Sequence, residues 1–268
     1  MPRGAECSTL WADPMTSHIQ VTTTDRITTL RLDRVDKKNA ITIDMYAALE
    51  AGLEAASVDD QVRAVVIAGA PACFTAGNDL ADFMRVAQGG GEIRGALGFL
   101  HALATFEKPV VASVSGVAIG IGTTLLLHCD LVYAAPSAKF RTPFVDLALV
   151  PEAGSSVLLP ALIGARRASQ LLLLGEQIDA ATAATWGLIN AVVDDPDAAA
   201  HKAAARLAAC APTALRTTKS LTRRAHRDQV LEAMRIEGDA FTDRLRSPEA
   251  LEALSAFMER RPADFSKF

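Results

Sequence analysis

Three short apolar segments rich in β-branched residues, RAVVIAGA (63–70), PVVASVSGVAIG (109–120) and DLVYAAP (130–136), alternate with helix-forming stretches. That alternation constrains the fold most, because strands separated by helices assemble into a sheet whose faces the helices cover. The chain is therefore read as α/β. Each of the three segments is expected to be one strand. Ahead of them, HIQVTTTDRITTLRL (18–32) holds two β-rich runs split by Asp25-Arg26, which predicts a hairpin or tight strand pair. TIDMYAALEAGLEAAS (42–57) has Asp44 near its start and Met45, Leu49 and Leu53 spaced to line one helix face. EIRGALGFLHALATFE (92–107) also reads as a helix.

Three regions are expected. Residues 1–17 are rich in Pro, Gly, Ser and Asp and read as an untethered tail. Residues 18–200 carry the strands, and 50% hydrophobic composition in 268 residues can supply a sizeable core. Past residues 194–197 the chain becomes Ala, Leu, Arg and Glu rich and therefore helical, so a boundary is placed near residue 200. Helices with no sheet of their own must bury their apolar stripes on the core or on a neighbouring subunit. Residues 201–268 are accordingly expected to support oligomerisation.

Several function classes are excluded at this stage. With 27 Lys+Arg against 31 Asp+Glu and a net charge of -4, bulk electrostatics offers nothing to nucleic acid. No apolar run reaches the roughly 18–20 residues that span a bilayer. Cys7, Cys73, Cys129 and Cys210 form no CxxC pair and the five histidines have no ligand spacing, so no metal is expected, and a reducing cytoplasm fits the scattered thiols. Gly120-Ile121-Gly122 lacks the third glycine of a dinucleotide fingerprint, and neither Ser113 nor Ser115 sits in the frame of a hydrolase nucleophile.

What remains is a pair of glycine-containing segments, CFTAGNDL (73–80) and SGVAIGIGTTLLLHCD (115–130), each with the form strand, small residues, helix. A helix start leaves backbone N–H groups and a positive dipole end free for an anion or a developing oxyanion, although glycines also serve simply to turn the chain. A third segment, LALVPEAGSS (147–156), holds Glu152 between a proline and a glycine-containing turn. That glutamate is either ordinary loop polarity or a base beside an apolar pocket.

Four blocks in this order, DKKNAIT, FTAGNDL, VSGVAIGIGTTLLLHCDLVYAAPSAKF and LVPEAGSSVLLPALIG, with AFMERRPADF near the end, resemble the crotonase (enoyl-CoA hydratase/isomerase) superfamily. The similarity is greatest to its Δ3,Δ2-enoyl-CoA isomerases of the peroxisomal type. The resemblance implies a spiral of strand-strand-helix turns with a helical C-terminal region, assembled as a homotrimer or dimer of trimers. It implies an acyl-CoA thioester substrate, with no cofactor beyond the coenzyme A that the substrate carries. The thioester enolate would be held by the backbone N–H groups of Asn78 and Ile121, each worth roughly 3 kcal/mol to the transition state.

Where hydratases of this family have two glutamates, this chain has Thr124 and Phe144. Neither can activate water. Glu152 matches the single catalytic glutamate of the isomerases, and one base can both take a proton from C2 and return it at C4. Ala76, Gly77, Asp79, Leu80, Gly120, Gly122 and Phe144 are the further candidate substrate contacts, with Lys38, Asn39 and Ala40 near the CoA moiety. Asp79 is equally readable as a helix cap, and Asp146 is the competing acid. The alternatives are another crotonase-type enzyme, a hydratase or lyase, or a non-catalytic acyl-CoA-binding oligomer.

Overall fold

A computed structural model of the chain describes residues 18–70, 72–90 and 94–268; the tail expected over 1–17 lies outside the described residues. Among the described residues nine strands form two sheets: β1 (Ile19–Thr24), β2 (Ile27–Leu32), β3 (Ala64–Ala68), β4 (Val110–Val114), β5 (Val117–Ile119), β6 (Leu131–Ala134), β7 (Lys139–Arg141), β8 (Ile178–Asp179) and β9 (Ala191–Val192). The larger sheet has the order β1-β2-β3-β4-β6-β9 and the smaller β5-β7-β8. β1 and β2 form the expected antiparallel hairpin, with Asp25 at φ 50° and Arg26 at φ 66°. Positive φ at both central residues matches the twist that a two-residue hairpin turn requires.

β2, β3, β4, β6 and β9 are parallel neighbours. β3 and β4 are buried at every position, as continuous apolar strands covered on both faces must be. Val65 and Ile67 of β3 join the main core with Met45, Leu49, Leu53, Phe99 and Leu103 from the helices Ile43–Val58 and Arg94–Thr105. Val66 and Ala68 face the other way, onto Ala200 and Ala204 of the helix Pro196–Ala208. Residue 200 thus lies inside a helix that covers the sheet. Arg31 pairs with Asp197 of that helix at 2.6 Å.

One expectation is corrected. PVVASVSGVAIG is two strands, β4 and β5, in different sheets. The chain turns between them at Gly116, whose φ is 62° and whose added Cβ would stand 2.2 Å from the Ala72 carbonyl oxygen. Periodicity cannot register a corner built from small residues inside an apolar run. β6 and β7 repeat the arrangement, each turn giving one strand to each sheet, so the strand-strand-helix spiral is the observed architecture. The helices Arg227–Leu245 and Pro248–Glu259 pack against each other and against the helix Leu80–Ala87. No helix among the described residues is long and apolar enough to cross a membrane.

Candidate active site

The loop after β3 is stitched into place on both sides. Thr75 donates its N–H to Val117 O at 2.9 Å and accepts from Ile119 N at 3.1 Å, while Ile41 N donates to Gly77 O at 2.8 Å and Asp79 N to Ile41 O at 2.9 Å. Alternation along this extended segment aims the N–H of Asn78 away from Ile41. It has no acceptor among the described residues. Gly77 is required here: φ is 93° and an added Cβ would lie 2.8 Å from Ile119 O.

The second loop starts the short helix Ile121–Thr124. Gly120 O accepts from Thr123 N and Thr124 N at 2.8 and 3.1 Å, and the N–H of Ile121, the first helical residue, also has no acceptor among the described residues. An added Cβ on Gly122 would stand 2.6 Å from Thr75 Cγ2, so absence of a side chain lets the two loops touch. They share a cavity of about 360 Å³ whose lining includes Ala76, Gly77, Asn78, Leu80, Gly120 and Phe144. Apolar side chains of Phe83, Leu147, Leu149, Phe241 and Phe257 complete much of its wall, with Arg141, Asp146 and Arg261 also on it. A larger cavity of about 620 Å³, bordered by Phe106, Lys219, Arg223 and Val230, contains none of the candidate residues.

Glu152 is 7% exposed and is not part of this wall. The wall reaches Gly120 and Leu149, close in sequence to Thr124 and Glu152. Thr124 Oγ1 donates to Glu152 Oε1. Burial pushes the Glu152 carboxyl from an ordinary 4.5 up to about 8; the Thr124 hydrogen bond opposes that rise and the charge of Glu237 adds to it. The hydroxyl of Tyr46 donates to Asn78 Oδ1 at 2.6 Å. Burial and then the nearby Glu152 charge hold that hydroxyl well above its usual range.

The loop carrying Glu152 is held in an unusual backbone conformation, Ala153 at φ 60° and Gly154 at φ 70°. His128 secures it from one side, Nε2–H donating to Ala153 O at 2.8 Å; burial lowers this imidazole to about 4, so it stays neutral. Glu237, reaching from the helix Arg227–Leu245, accepts from Gly154 N at 2.6 Å and from Ser156 N and Oγ at 3.0 and 2.5 Å. Beside them the buried Ser155 hydroxyl has no partner among the described residues.

Asp79, Lys38, Asn39 and Ala40 are not part of the cavity wall. Asp79 caps the helix Leu80–Ala87 through Ala81 N and Asp82 N at 2.9 and 3.3 Å, and pairs with Arg34 at 2.6 Å. Burial opposes, but these partners hold its carboxyl below the usual range. Lys38 is exposed. Asn39 is fully buried, its amide donating to Cys73 O and Phe74 O, its own N–H bound to Arg34 O and its carbonyl to Thr75 Oγ1. Ala40 likewise spends its N–H on Lys37 O and its carbonyl on Arg34. Asp146 forms an exposed pair with Arg141 at 2.7 Å on the cavity wall. Sequence reasoning missed Tyr46, His128 and Glu237. Each acts on a partner remote in sequence, and none stands in a frame that announces it.

The sequence pattern of the enoyl-CoA hydratase/isomerase family matches residues 22–267. Enoyl-CoA delta isomerase 2 of Rattus norvegicus is 34% identical over 251 residues, covering 91% of this chain, which spans 64% of that relative's length. A crotonyl-CoA hydratase of Syntrophomonas wolfei subsp. wolfei is 32% identical over 246 residues, with coverage of 90% and 95%. Among solved structures, Pseudomonas aeruginosa OdaA superposes with a TM-score of 0.87 at 46% identity, over 91% of this chain and 99% of its own.

Proposed function

The chain belongs to the enoyl-CoA hydratase/isomerase family, and from that premise we propose that it moves the double bond of a 3-enoyl-CoA from C3 to C2, with Glu152 as the single acid/base. The observation carrying this reading is the buried Glu152 carboxyl, raised to about 8 and bonded by Thr124 on the short helix that Ile121 starts. A group that must take and return one proton works best with an affinity near the operating pH. Glu152 removes a proton from C2, and the electron pair of that C–H bond passes into a dienolate whose oxygen accepts from the N–H groups of Asn78 and Ile121. The same carboxyl then delivers the proton to C4, restoring the thioester carbonyl and leaving the double bond at C2. No water is consumed, and the side chains of Thr124 and Phe144 do not provide the acids that hydration would use.

The aromatic and aliphatic wall around Phe83, Phe144, Leu149 and Phe241 suits an acyl tail. The substrate is thus taken as an acyl-CoA thioester, with no separate cofactor. Exposed Leu221, Ile236, Phe257 and Met258 on the C-terminal helices support assembly as a homotrimer or dimer of trimers. The test is an assay of purified protein on 3-enoyl-CoA and 2-enoyl-CoA side by side. A double-bond shift on the first with no comparable addition of water to the second is expected. Faster hydration than isomerisation overturns the reading, and binding without turnover on either substrate replaces it with a non-catalytic acyl-CoA binder.

A further inference from the structure

We propose that Glu237 is a positioning residue for this isomerisation: from the helix Arg227–Leu245 it grips the loop that carries Glu152 and aims its carboxyl. The inference rests on Glu152 being the acid/base. Glu237 is 7% exposed, and its two oxygens take three hydrogen bonds from Gly154 and Ser156, immediately beyond Glu152. The residue between, Ala153, holds a left-handed φ of 60°, which a residue with a side chain keeps only where its surroundings enforce it. His128, bound to the Ala153 carbonyl, and Glu237, bound to the Gly154 N–H, are those surroundings.

Glu237 belongs to a continuous helix face. An added Cβ on Gly154 would meet Val230 at 3.1 Å and Met234 at 3.4 Å, and Phe241, one turn beyond Glu237, is on the wall of the cavity. One face of one helix therefore touches both the base-bearing loop and the apolar cavity. Its bonds to Gly154 and Ser156 also satisfy free N–H groups at the start of the helix Ser155–Ile163, so a remote helix cap is the plainer reading. A cap alone needs no buried charge, since a local Ser or Asp would serve without the cost of desolvation. Here the acceptor is a carboxylate from 83 residues away, and its charge acts on Glu152. The other titratable groups facing Glu152 and its loop are Tyr46, whose hydroxyl is committed to Asn78, and His128, which is neutral.

Glu237→Gln removes the charge and sets an amide N–H₂ against N–H donors, whereas Glu237→Asp keeps the charge and shortens the reach. With a 3-enoyl-CoA, E237Q is expected to lower kcat by about 10- to 100-fold, the usual cost of a misplaced reacting group. KM should stay near the parent value, because the cavity and both N–H donors are untouched. Loss of the neighbouring negative charge should move the acidic limb of the pH profile to lower pH, while E237D should lower kcat with that limb in place. A folded E237Q with parent kcat and an unmoved limb overturns the proposal, as does a fall in kcat that only tracks the loss of folded protein seen by circular dichroism. If E237Q does not fold, E237D decides: parent kcat overturns the proposal and a lowered kcat with unchanged KM supports it. Glu152→Gln is run alongside. A fully active E152Q overturns the assignment of the base and this inference with it, whereas an inactive E152Q beside an unaffected E237Q overturns this inference alone.

Discussion

Thr124 and Glu152 meet side chain to side chain across 28 residues of sequence, the hydroxyl of the first donating to a carboxylate oxygen of the second. Thr124 thus supplies a hydrogen-bond donor to a buried carboxyl group.

The direct test of the base is Glu152→Gln, which preserves size and removes the basic oxygen. Isomerisation of a 3-enoyl-CoA should fall by about 10² to 10⁴-fold, the usual worth of general acid–base catalysis. Acyl-CoA binding, followed by calorimetry, should persist. Near-parent turnover in E152Q together with an inactive but folded Asp146→Asn would move the assignment to Asp146.

Thr124→Val removes the hydrogen bond that restrains the rise in the Glu152 pKa. A bond to a charged group is worth about 1.5–3 kcal/mol, so the acidic limb of kcat/KM should move up by about one to two pH units. Activity at about pH 7 should drop correspondingly, by about 10- to 100-fold, and recover on raising the pH. A limb that stays in place or moves down contradicts the donor role of Thr124.

Stability should depend on pH in a sense set by the same carboxyl. Its folded pKa of about 8 exceeds the ordinary 4.5, so between those values the folded state binds more protons than the unfolded one. The contribution is therefore fully present below about pH 4.5 and lost as pH rises through 8. Glu152→Gln escapes that loss, and at about pH 9 it should melt above the parent, by about 2–4 °C for each kcal/mol recovered. At about pH 4 the two should melt alike. Equal melting temperatures at the alkaline end would show that no carboxylate is being buried at a cost.

The contact between the two loops predicts a contrast between neighbouring residues. Gly122→Val would place Cβ within 2.6 Å of Thr75 Cγ2 and must push the loops apart; turnover should fall by about 10²-fold, as a shift of around 1 Å between reacting groups costs. Ile121→Val, which leaves the backbone donor intact, should change turnover by less than about threefold. Equal tolerance at both positions would argue against a backbone oxyanion site.

The sequence carried the hairpin, the helix stripe of Met45, Leu49 and Leu53, and the two loops, because each is written in spacing or in glycine placement that local physics demands. It carried Glu152 only through its frame between Pro151 and Gly154. It did not carry Tyr46, which looks like one more apolar residue on the buried side of its helix while its hydroxyl reaches Asn78 across 32 residues. Nor did it carry Glu237, one of several glutamates in a polar helical run, distinguished only by what lies opposite it in space. The corner at Gly116 was hidden for the reverse reason: both strands are apolar, so the pattern continues where the backbone does not.

The grip of Glu237 on Gly154 and Ser156 also bears on the order in which the protein is made. β1 to β9 and both donor loops have all been synthesised before residue 200, yet the acceptor for the Glu152 loop arrives only with residue 237. The loops that carry Asn78 and Ile121 are therefore complete in sequence well before the residue that holds the loop beyond Glu152. The restraint on the Glu152 loop is thus supplied by the last part of the chain, 83 residues beyond the Gly154 that it holds.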